Sequence, residues 1–273
     1  MRRMSDRQRS GDPETIDGPL GGRQRARLAA AISEAIAGWL AANPWFPAPG
    51  AQGVASLVRA FLRTYDDRPI IDNAGGSRFN SSAWLYVLTR LLAPRLVVES
   101  GTHRGHSAWL FSRAAPSARV LTFDISHEAL SDRIPGIDYR LADWSTSDVR
   151  VRDPGHDFAF FDDHVDQARR VREAWERGFR WLIFDDNLSA QALFATGRPP
   201  ATTVSMIYDP TLRDGETLTW TRHGRPRTFR FDKAGADAAQ RLIAEWSILP
   251  DLRPVTGFRP QLGLTVVRLT DGR

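Results

Sequence analysis

Residues Leu96 to Ser107 read LVVESGTHRGHS, and this stretch decides the fold. Leu96, Val97 and Val98 form a continuous apolar run, the pattern of a strand buried on both faces of a sheet. Glu99 ends the run, Gly101 and Gly105 follow, and Ser107 opens a helical pattern with Trp109, Leu110 and Phe111. Glycines at these points let the backbone turn sharply and let a ligand approach without a side-chain clash. The free amides at the start of the next helix favour a negatively charged or polar ligand. Together these parts make a nucleotide-type cradle, although Gly-x-x-x-Gly after a strand also serves simple tight packing.

Downstream of the cradle, strand and helix patterns alternate. Apolar strands are predicted at Val120–Phe123, Tyr139–Ala142, Phe158–Phe161 and Trp181–Phe184, and a helix carries Ala168, Val171, Ala174 and Trp175. Such alternation predicts a doubly wound, mostly parallel α/β sheet of Rossmann-like form, with helices on both faces. Further on, Thr203–Tyr208 reads as a sixth strand and Ala236–Trp246 as a helix. Thr217–Thr221 and Arg227–Phe231 flank HGRP as a hairpin, and Leu262–Leu269 reads as a final strand.

Upstream, the chain is helical. Leu28, Ile32, Ile36, Trp39 and Leu40 lie at helical spacing, NPWFPAPG breaks that helix, and Val54 to Leu62 begins another. A third helix spans Ser81–Leu92. The polar stretch Asp72–Asn80 before it is either a connector or a lid presenting Arg78 and Asn80 to a substrate. The expected organisation is a disordered tail over 1–20, a helical extension over 21–94, and a ligand-binding domain over 95–273 with a hairpin insertion at about 210–232.

Composition narrows the chemistry. The 273 residues are 42% hydrophobic and contain no cysteine, which excludes disulfides and thiolate metal sites. MRRMSDRQRSGDPETIDG lacks the apolar centre of a signal peptide, and no later run approaches membrane-spanning length, so a cytoplasmic protein is expected. The net charge of +5 is carried almost wholly by arginine, with Lys233 the only lysine. No basic block reads as a nucleic-acid tail, and the charge tilts the expected small-molecule partner toward anions. Arg213, Arg222, Arg225, Arg227 and Arg230 alternate with aromatic residues around the hairpin, as a half-buried hairpin does.

The strand ends carry the acids, at the sheet edge where ligands bind. Asp124, 25 residues after Glu99, is placed to accept hydrogen bonds from ribose hydroxyls. Asp143 could take an exocyclic amine while Trp144 packs beside the base. Asp162, Asp185, Asp186 and Asn187 end the fourth and fifth strands, whose ends would lie roughly 5 Å apart. This oxygen-rich set suits a hard divalent ion such as Mg²⁺, which would relieve the repulsion between carboxylates. The alternative is that Asp163 and Asp186 cap following helices or reach ligand through water. His164 reads as a general base or a ligand-orienting group, and equally as a histidine that satisfies a loop carbonyl.

ESGTHRGHS followed by LTFDIS resembles the first two motifs of class I S-adenosylmethionine-dependent methyltransferases. AFFDDH and LIFDDN are similar to the metal-binding strand ends of catechol O-methyltransferase-like enzymes and of their cephalosporin hydroxylase and macrolide O-methyltransferase relatives. The resemblance covers Leu96 to Asn187. It implies that Glu99, Gly101, Thr102, Gly105 and Ser107 hold the methionine and ribose end of S-adenosylmethionine, with Asp124 at the ribose and Asp143 and Trp144 at the adenine. It further implies that Asp162, Asp185, Asp186 and Asn187 bind the metal, and that His164 or Asp163 receives a proton as a small-molecule hydroxyl is methylated. Two departures stand out: His103 replaces the middle glycine of the cradle, and Asp166 stands where the catechol enzymes carry a lysine. A hydroxylase-type enzyme on the same scaffold and a non-catalytic cofactor-binding protein are the rival expectations, and the chain could form a homo-oligomer.

Overall fold

The computed structural model describes residues 22–50, 53–71, 73–192, 201–222, 225–261 and 263–271. The tail expected over 1–20, Asp72 and the centre of the hairpin turn lie outside these residues. Helices α1 (Gly22–Ala42), α2 (Gly53–Asp66) and α3 (Phe79–Leu92) lead into strand β1 (Leu96–Ser100). Then come α4 (His106–Ala114), β2 (Arg119–Asp124), β3 (Ile137–Leu141), β4 (Phe158–Phe161), α5 (Gln167–Glu176) and β5 (Trp181–Phe184). The remainder is α6 (Val204–Ile207), the hairpin β6 (Thr217–Arg222) and β7 (Arg225–Arg230), α7 (Lys233–Gln240), β8 (Ile243–Ile248), α8 (Arg253–Thr256) and β9 (Thr265–Leu269).

Seven strands form one sheet in the order β3-β2-β1-β4-β5-β9-β8, and β6 and β7 form a separate ribbon. Strands β1 to β5 pair in parallel, whereas β9 runs antiparallel to both of its neighbours. This is the Rossmann-like, doubly wound sheet expected from the alternation. The chain winds outward from β1 to β3, then returns to place β4 on the other side of β1. That reversal opens a crevice at the carboxyl ends of β1 and β4, where ligands bind in open α/β sheets.

The continuous apolar runs are explained by the two-residue side-chain period of a strand covered on both faces. Val97, Val120, Phe158, Phe160, Trp181 and Ile183 face a core shared with α1 to α4. Val98, Leu121, Phe123, Ala159, Phe161, Leu182 and Phe184 face a second core shared with α5, α6 and α7. The N-terminal helices are anchored by aromatic contacts, Trp45 stacking on Trp181 and Trp39 packing edge-on against Trp84. Their buried indoles find partners too: Trp39 donates to Ser247 Oγ at 2.9 Å and Trp84 to the Pro250 carbonyl at 3.0 Å.

Two expected elements are corrected. Thr203–Tyr208 is the short helix α6 rather than a strand, because the Thr203 hydroxyl accepts from the Met206 amide and caps it. The helix expected over Ala236–Trp246 is α7 followed by β8. Ile243, Trp246 and Ile248 suit either period, and pairing with β9 along Ile243–Ile248 supplies backbone partners that only a strand can use. The stretch expected as a lid is shorter than Asp72–Asn80, since α3 begins at Phe79.

Candidate active site

Each strand end is held in register one residue beyond the strand itself. Gly101 N donates to Phe123 O at 2.8 Å, Asp162 N to Ser100 O at 2.9 Å, and Asp185 N to Phe161 O at 3.0 Å. The ladder therefore fixes the glycine loop and both acidic loops side by side. A cleft of about 490 Å³ opens above them, within the size range of small-molecule sites. Gly101, Asp124, Asp143, Asp162, His164 and Ile125 are among the residues that line it.

The glycine loop is shaped by left-handed backbone. Gly101 has φ +105°, and a Cβ there would collide with the Asp162 carbonyl. Gly105, at φ +85°, is the N-cap residue of α4. His103, which replaces the cradle's middle glycine, also takes positive φ, at +45°. Its amide donates to Asp124 Oδ2 at 2.9 Å, while Ser126 N donates to Oδ1 at 3.1 Å. Asp124 thus fastens the loop to the end of β2 and still faces the cleft.

Glu99 stands behind this loop rather than in the cleft. It is fully buried, accepts from Thr122 Oγ1 at 2.5 Å, and burial pushes its pKa up to about 7 against the hydrogen bonds from Ser107 and Thr122. Thr102 is also buried, its hydroxyl 2.6 Å from that of Thr122. Neither Glu99, Thr102, Gly105 nor Ser107 lines the cleft. These four shape the cradle from below, whereas Gly101 lines the cleft.

At the other end of the cleft, Asp143 Oδ1 accepts from Ser145 N at 2.8 Å and Arg170 at 3.1 Å. Burial alone would raise the Asp143 pKa, but these donors outweigh it and hold it below the usual carboxylate range. Trp144 does not flank a base as expected. It is fully buried, edge-on to Phe161 and Phe179, because its indole completes the second core. Ile125, 80% exposed at the cleft rim, provides an apolar surface there instead.

The acidic loops converge, with a changed membership. One ligand atom each from Asp162, His164 and Asp186 lies within 4.8 Å of the others. His164 Nδ1 is 4.0 Å from Asp162 Oδ1, and Nε2 is 3.6 Å from Asp186 Oδ2. Both His164 (φ +57°) and Asp186 (φ +54°) adopt left-handed backbone, a conformation costly outside glycine and concentrated at functional sites. Two ligands at Mg²⁺ or Mn²⁺ distances lie about 3 to 4.2 Å apart, so a slight contraction fits this trio around one divalent ion.

Three residues take other roles than expected. Asn187 is 2% exposed, with Nδ2 donating to Thr265 Oγ1 at 2.8 Å and Oδ1 accepting from Ser205 N at 2.6 Å. Its amide ties the end of β5 to α6 and β9, with both of its polar atoms engaged. Asp185 is the edge residue that continues the ladder and is outside the converging trio. Asp163 accepts from Ser100 Oγ at 2.6 Å, from Val165 N at 3.1 Å and from Arg170, so it is an anchored counter-ion rather than a base.

Several cleft residues were invisible to motif reading. Ser126, Ala142 and Arg170 line it without any spacing signal. Gly75, within the stretch expected as a connector or lid, lines it too, from the 73–77 turn closed by Asn73 Nδ2 donating to Ser77 O at 2.7 Å. The expected lid residues do not: Asn80 is 1% exposed and donates to the Arg259 carbonyl at 2.8 Å, and Arg78 is outside the cleft lining.

No family model matches the chain, and no curated protein matches it. Solved structures share its arrangement. The O-methyltransferase TomG from Streptomyces achromogenes, involved in tomaymycin synthesis and solved with SAM, is 14% identical, over 78% of this chain and 88% of its own, with a TM-score of 0.43. An O-methyltransferase from Bacillus cereus in complex with SAH is 14% identical, over 86% of this chain and 100% of its own, at 0.44. CmcI with Mg and SAM is 16% identical, over 72% of this chain and 75% of its own, also at 0.44. No helix among the described residues is long and apolar enough to cross a membrane.

Proposed function

We propose that the protein is a methyltransferase that moves the methyl group of S-adenosylmethionine to the hydroxyl oxygen of a small molecule, with a divalent cation at Asp162, His164 and Asp186. The observation that carries this reading is a cleft that holds a glycine-loop cradle and two carboxylates spaced along it, with an oxygen–nitrogen–oxygen donor trio at its side, of which Asp162 and His164 line the cleft. Asp124 suits a ribose and Asp143 an exocyclic amine, so the adenosyl group lies across the ends of β2 and β3. Ile125 covers the base from the rim, in the place first expected of Trp144. The methionine end then lies over Gly101, which lines the cleft and packs directly against the Asp162 backbone beside the trio.

A divalent cation at the trio supplies positive charge that lowers the pKa of an acceptor hydroxyl and orients it. The chain's own contribution is placement. Left-handed loops bring Asp162, His164 and Asp186 to one point, and the β1–β4 register sets that point next to the cradle. Methyl transfer needs little more than aligned reactants at near-contact distance. His164 belongs to the trio, and Asp163 is fully occupied, so neither expected base keeps that role in this reading, and the proton of the acceptor hydroxyl passes to solvent water.

Calorimetric titration with S-adenosylmethionine, alone and with Mn²⁺ or Mg²⁺, tests the proposal, together with transfer of labelled methyl to a panel of small hydroxyl compounds. Saturable binding of both ligands and metal-dependent labelling is the expected result. Binding of the cofactor with no metal response would favour a binding module, and binding of neither would overturn the reading.

A further inference from the structure

A buried arginine connects the two halves of the cleft. Arg170, on α5, is 1% exposed by its side chain, and its guanidinium is shared among three carboxylates from three different segments. Its Nε and one terminal nitrogen reach Asp163 Oδ2 at 2.9 and 2.8 Å. That same terminal nitrogen reaches Asp143 Oδ1 at 3.1 Å, and the other reaches Glu173 Oε2 at 2.7 Å. The group lies beneath the cleft, 5.9 Å from the ring centres of both Trp144 and Phe161. Burial works against its charge, but Asp163, Glu173 and Asp143 together outweigh that and raise its pKa.

The consequence follows from chain connectivity. Asp163 lies between Asp162 and His164, so whatever fixes Asp163 fixes the loop that carries two of the three cation-binding side chains. Asp143 stands at the opposite, adenine end of the cleft. A planar guanidinium satisfies both carboxylates only while they keep one mutual geometry, and a lysine cannot reproduce that fork.

We propose that Arg170 is a positioning residue that couples the adenine end of the cleft to the cation trio, so that occupancy of one end raises affinity at the other. The proposal rests on the methyltransferase reading above. Coupling of this kind is reciprocal: a nucleoside ligand that tightens cation binding must be tightened by the cation to the same degree.

The test measures Mn²⁺ affinity by electron paramagnetic resonance, with and without saturating S-adenosylhomocysteine, in the full-length protein. Wild type is expected to bind Mn²⁺ at least about fivefold tighter with the nucleoside present, within the usual range of coupling. Arg170→Lys should reduce that ratio to near one, and Asp143→Asn, which cuts the bridge from its more exposed end, should do the same at nucleoside saturation. Glu245→Gln removes a carboxylate on β8 that pairs with Arg268, away from the cleft and from Arg170, and should leave the ratio unchanged. Circular dichroism and urea midpoints establish that each variant is folded. An unchanged ratio in a folded Arg170→Lys protein overturns the coupling role while leaving the metal reading intact. Absence of Mn²⁺ binding in wild type overturns both.

Discussion

Gly101 and Asp162 meet backbone to backbone: the position a Cβ would occupy on Gly101 is taken by the carbonyl group of Asp162. The cradle and the cation loop therefore abut with no side chain between them. Gly101→Ala should destabilise the fold by at least about 2 kcal/mol, since it adds a collision to the cost of positive φ. Gly136→Ala is the comparison, because Gly136 has φ +86° with nothing within 4 Å of its added Cβ. That variant should lose only about 1 kcal/mol. Urea unfolding of the two variants measures the difference, and equal losses would show that the close approach is unimportant.

Asp186→Ala should weaken Mn²⁺ binding by about 100-fold or more, since even loss of a partner behind a ligand costs about 10–100-fold. Cofactor affinity in the absence of metal should stay within about threefold, because Asp186 is not among the residues lining the adenosyl cleft. Parallel titrations with Mn²⁺ and S-adenosylhomocysteine read both numbers. Equal loss of both would remove the case for a separate cation site.

Asn187→Ala distinguishes a tie from a ligand. It strips partners from the Ser205 amide and the Thr265 hydroxyl, at a cost of about 1–3 kcal/mol in unfolding free energy. Mn²⁺ affinity in the folded variant should match wild type. A fall as large as that of Asp186→Ala would restore Asn187 to the binding set.

Two buried groups give the stability profile opposing slopes. Burial raises Glu99 from its ordinary 4.5 to about 7, so the folded chain keeps a proton that the unfolded chain has lost. Its contribution is full below pH 4.5 and is lost as pH rises through about 7, a change of ~3 kcal/mol. Burial, helped by the Arg68 charge, lowers His106 from 6.5 to about 4. Its contribution is present above pH 6.5 and is lost as pH falls toward 4, again ~3 kcal/mol. The slopes offset one another where the windows overlap. Glu99→Gln should therefore uncover a steeper loss of stability on acidification below pH 6.5 and flatten the decline toward pH 7. Urea midpoints across pH 4 to 8 measure both limbs, and NMR titration of the His106 ring should show it neutral until about pH 4. An unaltered profile in Glu99→Gln would show that Glu99 is not linked to folding in this way.

The parts of the site that could be read from sequence are those in which local pattern and position coincide. Gly101 and Asp162 directly follow a strand, Asp124 ends one and Asp143 lies two residues beyond β3, and a parallel sheet brings such ends to one edge. Trp144 was misassigned because an aromatic residue after a strand looks the same whether it turns toward ligand or core; Phe161 and Phe179 decide in favour of the core. Asn187 and Asp163 were misassigned for a related reason. By residue type Asn187 suits cation binding and Asp163 a proton-acceptor role, but Ser205 and Thr265, distant in sequence, and Arg170, seven residues further on, engage their polar atoms. Arg170 sits between other arginines on α5, and nothing local in the sequence sets it apart from them.

The sequence alone determined the order of helices and strands through β5 and the edge at which the acids gather. Apolar runs, glycines and strand-terminal carboxylates act through the few residues beside them. Tertiary structure alone decided that Ile243–Ile248 is a strand, because only β9 provides its hydrogen-bond partners. It also decided that Asp162, His164 and Asp186 form the trio, since left-handed turns and inter-strand register, which no short stretch encodes, set where those side chains point.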